Sequence, residues 1–366
     1  YQNCDEVSIC DNFMRSAYIS ESVSERISGI YTPSSQGSLV SDRFALIHNP
    51  RSRRNLKVDA QYMDMLAAMP DHVLHIPQTH DDLQRTLDAL ARDPVACLVV
   101  DGGDGTVCSV LSALNASAWP RDSWPLIVVL PSGNTNLIAS DVGFASRGVK
   151  ALDLVQDRLR AWRAGTAKVS VRRPLLVSCQ QDKGRDLLGF FGGFGAFTHG
   201  VGIAHQPTIL SHCSHDAAVL VTLLVAFAQM LSPTRRQSWL EGVEALISAD
   251  GVTSLGRSHF MLLCTALHSL PHGVWPFWSK NGVAHKGVSY LDVAAMPERL
   301  FAACWHLLRG RVPEWLRRSS AYKSGNAEIL TVCTNQPFVL DGEIIQPAEN
   351  DCLTVKAGPE VSFLRA

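Results

Sequence analysis

Three short segments set chemistry-bearing residues at the ends of apolar runs. Gly102-Gly103-Asp104-Gly105-Thr106 follows Val95-Ala96-Cys97-Leu98-Val99-Val100 and precedes Val107-Cys108-Ser109-Val110-Leu111. A buried strand, a glycine-rich turn and a helix in that order let backbone N–H groups and a helix N-terminus face an anion. The glycines permit close backbone approach and positive φ. Asp104 inside the turn can hold Mg2+ or take a proton, so the loop points to nucleotide chemistry. Asn49 follows the run Phe44-Ala45-Leu46-Ile47, and Asn134 lies in Pro131-Ser132-Gly133-Asn134-Thr135-Asn136 after Leu126–Leu130. Far downstream, Asp341-Gly342-Glu343 puts two carboxylates around the Asp-Gly pair that favours hairpin turns. A turn that also carries a functional carboxylate satisfies both readings.

The surrounding pattern says how such residues are positioned. From residue 41, short apolar runs alternate with helical spacings: Val58 to Met69, then Leu83, Leu87 and Leu90, then Leu152, Val155, Leu159 and Trp162. The run Val73–Ile76 is a further strand. Such alternation predicts a parallel sheet covered on both faces. Ligands of these sheets bind beyond the carboxyl ends of the strands, where Asn49, Asp104 and Asn134 all fall. After about residue 166 the pattern changes to short strands separated by turn residues. They are Val169/Val171, Leu188–Phe191, Ala245–Ile247, Phe260–Leu263, Ile329–Val332, Phe338–Leu340, Leu353–Val355 and Val361–Phe363. That spacing favours an antiparallel sandwich, interrupted by helical insertions at about 215–231 and 297–309. The expected organisation is a polar, Ser-rich flexible leader over 1–40, an α/β domain with a parallel sheet over 41–165, and a β-rich domain over 166–366.

Composition bounds the functional classes. The 366 residues are 46% hydrophobic and 18% charged, with a formal net charge of −1. No long basic block occurs, which argues against nucleic acid as the main partner. The ten cysteines are scattered and form no CxxC pair, a usage that suits free thiols in a reducing cytoplasm. No secretory signal is visible, and the opening residue Tyr1 leaves room for residues ahead of it. The longest apolar run, Ala217–Ala228 and on to Leu231, is about 15 residues, short of the roughly 20 that span a bilayer. The expectation is a cytoplasmic protein without a transmembrane segment, associated at most with the membrane periphery.

Four segments together resemble the superfamily of diacylglycerol, sphingosine and ceramide kinases. Leu46-Ile47-His48-Asn49-Pro50-Arg51-Ser52 resembles its Asn-Pro loop, and Gly102–Thr106 its glycine motif. Leu130–Asn136 is similar to its Pro-x-Gly-Thr-x-Asn loop, and Leu340-Asp341-Gly342-Glu343 to its C-terminal Asp-Gly-Glu turn. Order and spacing fit from about 41 to the C-terminus. The resemblance implies that Asn49, Arg51, Gly102, Gly103, Gly105, Thr106, Gly133, Asn134 and Asn136 hold the nucleotide. Thr79 follows the second strand, where the family often sets a nucleotide-side Thr; its sequence context equally fits a helix N-cap. ATP with Mg2+ would be bound, a hydroxyl would attack the γ-phosphate, and a carboxylate would take its proton. Asp104 and Asp341 are the candidates for that proton, Glu343 would support nucleotide or metal, and Asp104 is also the implied metal ligand.

Departures from the family pattern narrow the acceptor. Cys108 and Ser109 stand where Asn-Glu is common, Asn134 where Thr is usual, and Leu137 where Asp is frequent. The stretch His285–Asp292 lacks the Asp-Gly pair through which bacterial relatives hold a structural Mg2+. The Gly195–Gly200 segment has no acid to read the ammonium of a sphingoid base. The implied acceptor is the primary hydroxyl of a neutral lipid presented at a membrane surface, ceramide ahead of diacylglycerol. The alternatives are a soluble-substrate kinase of the NAD kinase type and a non-catalytic lipid- or nucleotide-binding homologue.

Four features stay open. His199, His205, His212 and His215 with Cys213 read either as a zinc site or, since their spacing fits no standard pattern, as loop histidines. The run at 217–231 reads as a cover for acyl chains, as a membrane contact, or as a core helix. Trp275-Pro276-Phe277-Trp278 reads as lipid cleft or as packing, and Arg235-Arg236 and Arg317-Arg318 as headgroup contacts or as surface charge.

Overall fold

The computed structural model describes residues 43–57, 60–68, 72–146, 148–179, 186–204, 229, 232–253, 258–278, 287–348 and 351–365. The leader at 1–40, the run Ala217–Ala228, and His205, His212, Cys213 and His215 lie outside the described residues.

Strands β1 (Phe44–His48), β2 (His72–His75), β3 (Cys97–Gly102) and β4 (Leu126–Pro131) run parallel in the order β2-β1-β3-β4. Around them lie α1 (Ala60–Ala68), α2 (His80–Arg92), α3 (Asp104–Ala116), α4 (Leu137–Val142) and α5 (Gly148–Arg163). Residues of β1, β3 and β4 are apolar at successive positions because both faces are buried. Ala45, Ile47, Leu98, Val100, Ile127 and Val129 share a core with α2 and α3. Phe44, Leu46, Cys97, Val99, Leu126 and Val128 share the other with α1 and α5. Thr79 caps α2, its hydroxyl accepting from Asp82 N at 3.1 Å, with Asp81 and Asp82 in the first turn; acids there complement the helix dipole.

The sheet does not close on β4. β5 (Val169–Arg172) and the last strand, β19 (Val361–Leu364), extend it, with β19 parallel to β4 and antiparallel to β5. The chain thus returns after the intervening strands to complete its first sheet.

Between them lie two antiparallel sheets. One contains β6 (Leu175–Cys179), β7 (Leu187–Gly189), β10 (Leu246–Ala249), β11 (Val252–Thr253), β15 (Ile329–Cys333) and β18 (Cys352–Ala357), in the order β11-β10-β15-β18-β6-β7. The other contains β8 (Phe191–Gly195), β12 (Ser258–Thr265), β13 (Val288–Ala294), β14 (Tyr322–Ala327), β16 (Phe338–Leu340) and β17 (Glu343–Ile345), in the order β14-β13-β12-β8-β16-β17, with β9 (Val243–Glu244) beside β12. Val177, Ile247, Leu330, Leu353 and Val355 of the first sheet meet Phe194, Leu262, Cys264 and Phe338 of the second in one core. This is the expected sandwich. Helices α6 (Ala196–Ala204), α7 (Pro233–Glu241), α8 (Leu300–Leu308) and α9 (Glu314–Arg318) are set among these strands.

Several expectations need correction. The run Leu188–Phe191 is not one strand: the chain leaves the first antiparallel sheet after Gly189 and enters the second at Phe191. β13 and β14 carry Ser, Asn and Gly positions that hid them from an apolar-run reading. The cysteines are not all free thiols. Cys333 and Cys352 face each other across β15 and β18 and form a disulfide, which removes the cysteine argument for a reducing compartment. Cys97, Cys108, Cys179, Cys264 and Cys304 are free thiols. Trp275 and Phe277 are packed in the core beneath α8, which decides their reading in favour of packing. His199 stacks on Trp239 with ring centroids 5.3 Å apart.

The α/β and sandwich parts are tied by buried polar contacts. Ser112 of α3 accepts from Leu188 N at 2.8 Å. Arg172 Nε donates to Asp141 of α4 at 2.7 Å, and Ser269 donates to the same carboxylate at 2.9 Å. The first contact holds α3 against β7, and the other two hold α4 against β5 and the segment after β12.

Candidate active site

Register brings the three loops together. His48 lies opposite Asp101, and Gly102 opposite Pro131. The segments after β1, β3 and β4 therefore leave the sheet side by side at its carboxyl edge. The two glycine-containing loops touch backbone to backbone. A Cβ on Gly133 would lie 2.3 Å from Gly103 Cα, and one on Gly103 2.9 Å from Gly133 Cα. No side chain fits between them, which is the physical reason for glycine at both positions.

Beneath the loops, Asp101 is the hub. It is 1% exposed. Its carboxylate pairs with His48 Nδ1 at 2.6 Å and accepts from Tyr62 OH at 3.0 Å and from Ser132 Oγ. Its carbonyl accepts from Asn49 N at 3.0 Å and Asn55 Nδ2 at 3.3 Å. Burial, with the Asp101 charge added, drives the Tyr62 hydroxyl well above its usual pKa. Asp101→Ala should cost about 3 kcal/mol or more of unfolding free energy by leaving buried donors without an acceptor. Urea unfolding measures this, and a change within about 0.5 kcal/mol would refute the hub.

Each loop residue is held by another. Asn49 Nδ2 donates to Thr106 Oγ1 at 2.8 Å, and Asn49 Oδ1 accepts from Arg51 N at 3.0 Å. Asn134 Oδ1 accepts from Arg53, and Arg54 donates to Pro131 O at 2.7 Å. Asn136 sits at φ +49° and staples its own loop, accepting from Gly133 N at 2.7 Å and donating to Gly133 O at 3.1 Å.

The two expected acids are both engaged. Asp104 Oδ2 accepts from Thr135 Oγ1 at 2.9 Å and Leu137 N at 3.0 Å, and Oδ1 from Ile138 N at 3.0 Å. It caps α4 from the neighbouring loop and fixes one loop to the other. Asp341 and Gly342 have φ +48° and +92°, the two-residue turn joining β16 to β17. The residue is half-buried, but its carboxylate turns inward and accepts from Phe190 N at 2.6 Å and Phe191 N at 3.0 Å. Those donors lie where the chain changes sheets. Burial first, then the Asp104 charge, raises the Asp341 pKa well above the ordinary carboxylate range, against the pull of the two N–H donors. A buried carboxyl perturbed by a specific second carboxyl is a common signature of reactive sites.

The turn meets the first turn of α3. A Cβ on Gly105 would lie 3.2 Å from Asp341 O and 3.3 Å from Glu343 Oε1. The N-cap of α3 is Gly103, which offers no side-chain cap, so the first N–H groups of this helix are available to an anion. A cleft of about 280 Å3 opens there, lined by Asn49, Arg51, Thr79, Thr106, Ser109 and Glu343 among others. Thr79 thus both caps α2 and lines the cleft. Cys108 points away into the sandwich core; burial, with Asp341 and Glu343 adding, raises its thiol pKa strongly. Sequence reasoning missed Asp101, His48, Arg53, Arg54 and Ser132. The position of Asp101 at the strand end beside the glycines was a signal available for it.

Among the described residues, no group of three or more His, Cys, Asp or Glu could hold a metal alone. The carboxylate on the cleft, Glu343, is a hard oxygen donor of the kind that shares Mg2+ with substrate phosphates. Asp104 has three of its roughly four lone-pair directions occupied by protein donors. Asp292, in the Leu-Asp segment, is buried and paired with His259 at 2.6 Å.

Residues 43–167 match the diacylglycerol kinase catalytic domain. No curated protein matches the chain in sequence. In structure the chain is similar to a protein of Bacillus anthracis str. Sterne named as a candidate diacylglycerol kinase, with TM-score 0.60 and 14% identity over 89% of this chain and 97% of that one. A diacylglycerol kinase of the same organism aligns with TM-score 0.55 and 13% identity, over the same shares. At such identity these likenesses establish the fold.

Proposed function

We propose, from the premise that this chain belongs to the superfamily of the diacylglycerol kinase catalytic domain, that it transfers the γ-phosphate of ATP to the primary hydroxyl of a neutral lipid. The single observation that carries the reading is the contact between the first turn of α3 and the Asp341–Glu343 turn at Gly105. That contact brings a helix terminus suited to an anion beside the Glu343 carboxylate and the backbone of Asp341, whose own carboxyl is close enough to Asp104 to feel its charge. Phosphoryl transfer asks for that combination: positioned phosphates, neutralised charge and a proton acceptor.

The roles follow from geometry. The N–H groups at the start of α3 would face the phosphates, with Arg51 on the cleft wall and Asn49 orienting Thr106. Mg2+, when bound with the nucleotide, supplies charge neutralisation on the phosphate oxygens, and Glu343 is placed to share it. The acceptor oxygen attacks the γ-phosphorus, the bond from that phosphorus to the bridging oxygen breaks, and ADP leaves. The hydroxyl proton passes to Asp341, whose raised pKa makes it a stronger base than an ordinary carboxylate. Asp104 is a positioning residue that holds the second loop against the first. Asp104→Asn should therefore lose transfer and also melt at lower temperature, because an amide cannot accept from all three donors. Wild-type melting with lost transfer would return Asp104 to direct chemistry.

The missing acid after Gly195 disfavours a free sphingoid base, whose ammonium would need a carboxylate, and the missing Asp-Gly pair in His285–Asp292 sets ceramide ahead of diacylglycerol. The test is radiolabelled ATP with ceramide, diacylglycerol, sphingosine, NAD and sugar phosphates in parallel. Lipid-dependent transfer is expected. Transfer to soluble acceptors alone, or none, overturns the reading in favour of a soluble-substrate kinase or a non-catalytic homologue.

A further inference from the structure

A second cleft, of about 830 Å3, lies at the other end of β12 from the candidate active site. Its walls include His259, Asp292, Arg299, Trp315, Arg318 and Lys323. Thr265, at the near end of β12, donates to Phe190 O at 2.9 Å beside the Asp341 site. Six residue steps along the extended chain lie between it and His259, roughly 20 Å. His259 is 1% exposed, and its Nδ1 meets Asp292 Oδ1 at 2.6 Å. Its Nε2 is buried and has no hydrogen-bond partner among the described residues. With Nδ1 engaged by the carboxylate, Nε2 is the ring atom left for a ligand hydroxyl.

The surface next to this cleft is unusual. Phe301, Trp305 and Leu308 are 48%, 58% and 41% exposed, and Met296 is 60% exposed. Their spacing of four and three sets the first three on one face of α8. The opposite face buries Leu300, Ala303 and Leu307 against Trp275 and Phe277. Large apolar side chains exposed singly are normal; a stripe of them beside basic residues marks a contact surface. Arg309 lies over the Trp305 ring at 3.9 Å. Across 296–323 six Lys or Arg stand against two acids, in a chain of net charge −1. Aromatic and apolar side chains among arginines are the composition of an interfacial helix on an anionic bilayer.

We infer that the exposed face of α8 and the adjoining His259–Asp292 cleft form a docking surface for membranes containing anionic phospholipid, the cleft taking a phosphorylated headgroup that carries a hydroxyl. This deepens the lipid-kinase reading by naming the face that meets the bilayer, at a place separate from the transfer site. Binding is read without turnover, so its failure leaves the kinase reading standing, and the reverse.

The test is flotation of the whole chain with phosphatidylcholine vesicles, with or without phosphatidylglycerol, whose headgroup keeps free hydroxyls, at low salt. Retention on the phosphatidylglycerol vesicles and little on the neutral ones is expected, with a blue shift of tryptophan fluorescence that Trp305→Phe diminishes. Phe301→Ser with Trp305→Ser should lose retention. Arg318→Glu with Lys323→Glu should weaken it by about fivefold or more per charge removed. Glycerol 3-phosphate in solution should compete partly with the vesicles, and not in Lys323→Glu. These positions are surface or cleft-lining, and matched melting temperatures verify folding. Equal retention on both vesicle types, or variants that float like the parent, overturns the inference. Binding of glycerol 3-phosphate without vesicle retention overturns the docking surface and leaves a soluble phosphate site.

Discussion

Asp341→Asn lowers lipid phosphorylation by roughly 10²- to 10⁴-fold, the range lost when a general base is removed, while nucleotide binding persists. The argument rests on where the carboxylate lies. It is held by Phe190 N and Phe191 N at the sheet change, and it is close enough to Asp104 for the two charges to repel. Folding therefore favours its protonated form. That contribution to stability is present below the ordinary carboxylate range and is lost as pH rises through the raised folded-state pKa. Transfer runs the other way, since the base works only when ionised, and the acid limb of the pH–rate profile should sit above the normal carboxylate range. Asn keeps one acceptor oxygen and removes the repelled charge, so the melting temperature near neutrality should change little. Initial rates across pH and thermal melts measure both. Near-parental transfer in the variant would dismiss Asp341 as the base.

The second large effect is Gly133→Ala. Its Cβ would stand 2.3 Å from Gly103 Cα, and the obstacle is backbone, which no rotamer change can clear. The loops after β3 and β4 must part, and with them the anchoring of Asn136 to Gly133 and of Thr135 to Asp104. Overpacking of this kind costs about 1–3 kcal/mol or more, and nucleotide affinity should fall at least about tenfold, the equivalent of about 1.4 kcal/mol. Fluorescent nucleotide titration and urea unfolding report the two losses. Parental values for both would mean that the loops do not pack as described. Gly165→Ala is a useful contrast: its φ of +70° makes it strained, yet no heavy atom lies within 4 Å of the added Cβ. It should affect stability without touching nucleotide binding.

The parallel sheet was legible because β1, β3 and β4 are buried on both faces, and uninterrupted apolar runs such as Leu126–Leu130 need no partner to be recognised. The same holds for α2, whose Leu83, Leu87 and Leu90 repeat at helical spacing and are buried together. β13 and β14 were not, since polar residues break their runs: buried Ser289 and Asp292 in β13, and the half-exposed Lys323, Ser324 and Gly325 in β14. Of the candidate site, the loops were legible by type and by their place after strands. Their use was not: Asp104 reads as a free carboxylate in sequence, yet it caps α4 across a loop boundary.

By itself, then, the sequence determined what is local: the glycine loop at a strand end, the Asp-Gly turn at 341–342, the alternation of strand and helix, and the strand-rich second half. Only the tertiary structure decided which distant groups meet. Asp341 finds Phe190 and Phe191 about 150 positions away, β19 returns beside β4, Cys333 joins Cys352, and His259 takes Asp292. Periodicity reports which face of an element is buried. It carries no register between elements, and hydrogen bonds over a few ångströms depend on register alone.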